Sequence, residues 1–254
     1  MPPSEIRCDA LIEHPQPASL LQRPPCGDGT STGLIAVEPE LRPHDEPAPP
    51  LLRGWFHLVA LCASVPAGIL VVVGAPSTRA RTGAVVYALA VSALFAVSAT
   101  YHLGVWSAGG RRRMRRLDHG TIYVMIAGCY TPLCLLALGG RTGVGVLVAA
   151  WVGAAIGLGL ALAGLAEKPV FGLACYIALG WILLPALPGL VHQLGSAHFG
   201  LLLAGGVLYT VGGLVLGTNW PNPFPRVFGY HEIWHLLVVA ACVCHYVTIY
   251  SVIH

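Results

Sequence analysis

The sequence predicts an all-α integral membrane protein, a seven-transmembrane helix bundle with its N-terminus cytoplasmic and its C-terminus outside. Three observations predict it. Only 10% of the 254 residues are charged while 56% are hydrophobic, at a mean hydropathy of +0.71, whereas a soluble domain carries about a quarter charged residues. From Gly54 onward, seven apolar segments follow one another, each about 20 residues long, as a hydrocarbon core of about 30 Å requires. Lysine and arginine divide unequally between the two sides that seven crossings create.

In chain order, residues 1–52 come first. Residues 1–50 hold eleven of the twenty prolines, and residues 1–46 hold eight of the eleven acidic side chains. A stretch so polar and proline-rich cannot cover a core, so it is expected to be a disordered cytoplasmic tail. It has no short apolar region of the signal-peptide kind, which leaves insertion to the helices of a membrane domain at 53–254. The spans are placed at 54–74, 82–104, 119–139, 143–165, 170–190, 198–217 and 231–252. Two connections are long: 105–118, with its run RRRMRRLD, and 218–230, TNWPNPFPRVFGY. Small residues such as those of GVGVLVAAWVGAAIGLGLALAG, 143–164, let transmembrane helices approach closely. Pro66, Pro132, Pro185 and Pro188 fall within spans and are expected to kink them.

Orientation follows from the basic residues. One side collects Arg53, Arg111, Arg112, Arg113, Arg115, Arg116, Lys168 and Arg226, and the other only Arg79, Arg81 and Arg141. The richer side is cytoplasmic. The arginine run reads as a topology determinant that also attracts anionic lipid headgroups. Six cysteines lie in spans and two in the tail; they read as small hydrophobes, with neither a disulfide nor a cysteine metal site.

The reactive chemistry is concentrated in few residues. After the tail the only acidic side chains are Asp118, Glu167 and Glu232, and two of them adjoin histidines. His231, Glu232 and His235 spell H-E-x-x-H, the zinc-protease pattern on a helix. In the predicted topology three spans bring Ser98 and His102, Asp118, and His231 and His235 to one depth at the cytoplasmic face. Three imidazoles suit catalytic zinc, which takes three protein ligands and leaves a fourth position for water or substrate. His102, His231 and His235 are therefore read as Zn2+ ligands. Asp118 is read as the group that takes a proton from water, and Ser98 as a hydrogen-bonding partner in the site. His57 reads as an interfacial residue, His119 as a helix cap, and His192 and His198 as structural. His245 lies about 15 Å beyond the pair along the helix axis, out of reach of a shared metal but able to line a cavity. Trp55, Tyr230 and Trp234 read as interfacial aromatics, and Glu232 as a chance occupant of its position.

At these residues the chain resembles the haemolysin III group of the progestin and adipoQ receptor (PAQR) family. The matching blocks are SATYHL (98–103), RRLDHGTIYVMIAGCYTP (115–132) and FGYHEIWHLLVVAACVCHY (228–246), in order across three helices. The resemblance implies a seven-helix bundle with an intramembrane zinc near the cytoplasmic face, held by His102, His231 and His235, with Asp118 and Ser98 beside it. Through the wider superfamily's alkaline ceramidases, it also implies a metal-dependent, ceramidase-like hydrolase of a membrane lipid amide or ester in the bacterial plasma membrane. Two other readings stand beside it: a haemolysin III-type membrane-active protein or zinc-stabilised lipid sensor without turnover, and an intramembrane protease using Glu232. The partners expected are a membrane lipid and anionic headgroups, with no nucleic acid.

Overall fold

The computed structural model describes residues 50–166 and 169–254; the predicted tail, but for its last three residues, and Lys168 lie outside the described residues. The architecture is helical: α1 (Trp55–Gly74), α2 (Thr78–Leu103), α3 (Ala108–Pro132), α4 (Gly140–Leu162), α5 (Pro169–Gly180), α6 (Leu187–Thr218) and α7 (Tyr230–Ile253). Neighbours in sequence pack together from α1 to α4 and from α6 to α7, and α7 returns against α1, α2 and α3. Six helical stretches among the described residues are long and apolar enough to cross a membrane. Their outward faces are as apolar as their contacts: Val59, Ile69, Leu70, Leu89, Val148 and Val152 are all exposed. A water-soluble protein rarely shows so much apolar surface.

Close helix approach depends on missing side chains. A Cβ added at Gly128 would lie 2.3 Å from Ala90 Cβ between α2 and α3, and one at Gly157 would lie 2.3 Å from the Tyr123 ring between α3 and α4. Tyr123 is 1% exposed, so that ring is seated on α4 because residue 157 has no side chain.

The structure departs from the sequence reading at two places. The arginine run is not a connecting loop: α3 starts at Ala108, capped by the Ser107 hydroxyl, which accepts from the Gly110 N–H. Its first three turns carry the arginines before the apolar stretch begins. The proline expectations also shift. Pro66 sits within an unbroken α1, and Pro132 precedes a π-helical turn, Leu133–Leu138. Pro185 and Pro188 lie where α5 has ended and α6 begins, which shortens the predicted fifth span.

One of the six apolar stretches, Phe171–Thr218, runs for 48 residues. It is not one rod: Gly195 has φ +70° and ψ 164°, outside helical space. Leu173 packs against Gly213 and Gly217, while Trp181 packs against Gly206 and donates its indole N–H to Thr210 Oγ1 at 3.0 Å. Rising residue numbers along α5 and the turn just past it thus meet falling numbers on α6, so α5 and the part of α6 after Gly195 are antiparallel.

Candidate metal centre

The end of α2 and the start of α7 build the site. His102 occupies the last turn of α2, and His231 the first turn of α7. One helical turn further, His235 projects from the same face. Each of the three histidines offers a ring nitrogen, and these three atoms lie within 4.8 Å of one another. His102 Nε2 and His231 Nε2 are 3.2 Å apart. Two nitrogens on a tetrahedral zinc, each about 2.05 Å from it, are separated by about 3.3 Å, so this spacing suits a shared ion as well as a hydrogen bond. His235 is 1% exposed, with a buried Nδ1 that has no hydrogen-bond partner. The donor set is all imidazole, from two helices, and it fits zinc. No carboxylate belongs to the group.

Asp118 and Ser98 flank it. Ser98, one turn before His102 on α2, is 2% exposed. Its hydroxyl is the side-chain hydrogen-bonding neighbour of the Asp118 carboxylate on α3. The Asp118 carbonyl accepts from Thr121 Oγ1, and the neighbouring His119 carbonyl accepts from Tyr176. Of the five predicted site residues, three form the ring cluster, and two pair beside the face of α2 that carries His102.

One residue differs from its sequence reading. Glu232 is not a chance occupant. It is fully buried; one oxygen accepts the Gly229 N–H at 2.8 Å, capping α7, and the other is ion-paired with Arg53. Both oxygens are thus engaged in holding the start of α7, which favours a capping and pairing role over the general base of the protease reading. The Gly-x-x-Glu spacing was a legible cap signal; the arginine partner, far away in sequence, was not.

His57, read as an interfacial residue and not as a ligand, turns its ring into the bundle. It is buried, and its ring stacks on His235 with centroids 3.8 Å apart and planes 14° apart. A lone histidine at the start of a span carries no spacing signal that could have announced this.

Beyond the cluster, an apolar cavity opens between α3, α5, α6 and α7. Ile122, one turn after Asp118, and Trp234, beside His235, line the cavity, as do Tyr209 and His245. His245 Nε2 lies 3.2 Å from the Leu202 carbonyl, and the Tyr209 hydroxyl 3.0 Å from Cys242 Sγ.

Comparison with known proteins agrees with this architecture. The sequence profile described as Haemolysin-III related matches residues 47–246. Hemolysin-3 of Bacillus cereus is 32% identical over 208 residues, 75% of this chain and 88% of the relative. The Hemolysin-3 homolog of Bacillus subtilis (strain 168) is 37% identical over 131 residues, 48% of this chain and 55% of its own. The human Monocyte to macrophage differentiation factor is 28% identical over 175 residues, 66% of this chain and 69% of its own.

Proposed function

This chain belongs to the haemolysin III group of the PAQR family and is an integral multi-pass membrane protein; on that premise we propose that it is an intramembrane zinc protein hydrolysing an amide or ester bond of a membrane lipid, as a ceramidase does. The observation that carries this reading is the convergence of His102, His231 and His235 from two helices within 4.8 Å. The accompanying topology has seven crossings, with separate spans before and after Gly195, the N-terminus cytoplasmic and the C-terminus outside. A straight helix of 48 residues would be about 72 Å long, more than twice a bilayer core. The arginine distribution supports the orientation.

In this reading His102, His231 and His235 would hold Zn2+, which when bound would supply Lewis-acid polarisation of an acyl carbonyl and lower the pKa of water. Asp118 takes the proton of the attacking water and delivers it to the departing amine or alcohol. Water adds to the acyl carbon, the C–N or C–O bond breaks, and a fatty acid leaves. Ser98 holds the Asp118 carboxylate in register. The apolar cavity beside Ile122 and Trp234 accommodates an acyl chain, which favours a lipid over a soluble substrate. Arg111, Arg112 and Arg113, exposed on the first turns of α3, and Arg115 and Arg116 beside them draw anionic headgroups to the same end of the bundle.

A second reading rests on the printed name of the Bacillus cereus relative, Hemolysin-3. Here the chain is a membrane-active protein or zinc-stabilised lipid sensor, and the same histidines are structural. One experiment separates the two. Reconstituted wild-type protein releases fatty acid from a ceramide-like amide, while Asp118→Ala keeps its metal and releases none. Erythrocyte lysis without release from any lipid amide or ester decides for the second reading; undiminished release by Asp118→Ala overturns the role of that carboxylate.

A further inference from the structure

The segment leading into α1 and the first turn of that helix reach His102, His235 and Glu232, the neighbour of His231. Arg53 pairs with Glu232, the neighbour of His231. Gly54, at φ +86°, brings its backbone so close that an added Cβ would lie 2.7 Å from His102 Cβ. Leu51 and Leu52 donate their N–H groups to the Arg226 and Val227 carbonyls at 3.1 and 3.2 Å, and Phe56 meets Phe228 edge-on at 6.0 Å. His57 completes the series on His235.

The His57 ring is enclosed between His235 and Phe95, whose centroid is 5.2 Å away. It is 3% exposed, and neither of its nitrogens has a hydrogen-bond partner; its approach to the His235 main chain falls short of hydrogen-bond geometry. This pose excludes a fourth-ligand role. Imidazole lone pairs lie in the ring plane, so two rings 14° from parallel aim theirs side by side rather than at one point. What His57 offers His235 is a flat face, held at stacking distance by a helix start that is itself tied to α7.

We infer that His57 is a positioning residue for the metal centre: its ring face fixes the plane of the His235 imidazole and so the direction of the lone pair that His235 presents. This rests on the metal reading above. Ligand orientation by an outer partner is worth about 10–100-fold in metal affinity, and here the partner acts by stacking instead of hydrogen bonding.

The test titrates Co2+ into the detergent-purified, metal-stripped full chain and records the visible d–d spectrum. His57→Phe, which keeps the flat ring without nitrogens, binds within about threefold of wild type with the same band shape. His57→Leu, which fills the space without a flat face, binds about tenfold or more weakly with altered bands, while its melting temperature in chelator stays close to wild type. His57→Gln reads the same loss where the leucine variant fails to accumulate. A leucine or glutamine variant with wild-type affinity and spectrum overturns the inference, as does a phenylalanine variant as weak as they are. Wild type that binds no Co2+ instead brings down the metal reading itself.

Discussion

His235 and His245 lie about three turns apart on the same helix, and both are buried, at 1% and 8% exposure. Their surroundings differ. His235 has His102, His231 and His57 around it at ring-centroid distances of 5.0, 4.7 and 3.8 Å. His245 has a backbone carbonyl, Leu202, at its Nε2, and Tyr209 edge-on at 5.4 Å. It fits because Gly205 has no side chain: an added Cβ there would fall 2.3 Å from the ring. Three imidazoles that offer ring nitrogens within 4.8 Å of one another could hold a metal ion. One imidazole tied to a carbonyl forms a wall. Burial alone separates nothing, and neither does Nδ1, which is buried without a hydrogen-bond partner in both rings. What differs is the company: two further ring nitrogens within reach of His235, against one carbonyl at His245 Nε2.

The sharpest break of that contrast is substitution at each end. His235→Ala and His231→Ala abolish both zinc and lipid hydrolysis, leaving less than about a tenth of the wild-type metal, since a three-ligand site does not survive as two. His245→Ala retains its zinc. Elemental analysis of the purified variants checks this, and a zinc-free His245→Ala would erase the distinction.

Next in size is Asp118→Asn. It keeps the hydrogen-bonding shape toward Ser98 and removes the proton acceptor, so fatty-acid release falls about 10²–10⁴-fold at unchanged zinc. Turnover measured beside metal content shows whether the two come apart as expected.

Glu232→Gln follows. It leaves an acceptor for the Gly229 N–H but breaks the pair with Arg53. Removing one member of a buried pair costs about 3–5 kcal/mol; with the Arg53 side chain 21% exposed, about 2 kcal/mol is expected. Denaturation in detergent measures it. Zinc is retained and hydrolysis continues, whereas a glutamate acting as general base would silence the enzyme without loosening the fold.

The smallest effect is expected at Gly205→Ala, which pushes the His245 ring off Leu202. The cost lies at the low end of the about 1–3 kcal/mol typical of overpacking, because the displaced ring borders the cavity, and zinc is unaffected.

How much of this was legible beforehand depended on which physical signal each element carries. The spans at 54–74 and 231–252 nearly coincide with α1 and α7, because these helices end where their apolar stretch ends. α3 begins eleven residues before its predicted span, since hydropathy marks where the apolar stretch starts and not where the helix does; Ser107 was the available cap signal. The α5–α6 region misled because Pro185 and Pro188 look like kinks in one apolar run, though Pro185 lies in a short turn after α5 has ended and Pro188 in the first turn of α6. In the site, the His231/His235 spacing is local and could be read directly. His102 required topology. His57 and the Arg53–Glu232 pair could not be read at all, because a contact between the first and last helices leaves no trace in local spacing.

The central claim is that α2 and α7 jointly hold one ion, and His102 is the only ligand that α2 contributes. The direct measurement is therefore zinc stoichiometry in wild type and His102→Ala, purified side by side without added metal. The account predicts about one zinc per wild-type chain and less than about a tenth of that in the variant. A metal-free wild type, or a His102→Ala protein carrying the full complement, contradicts it.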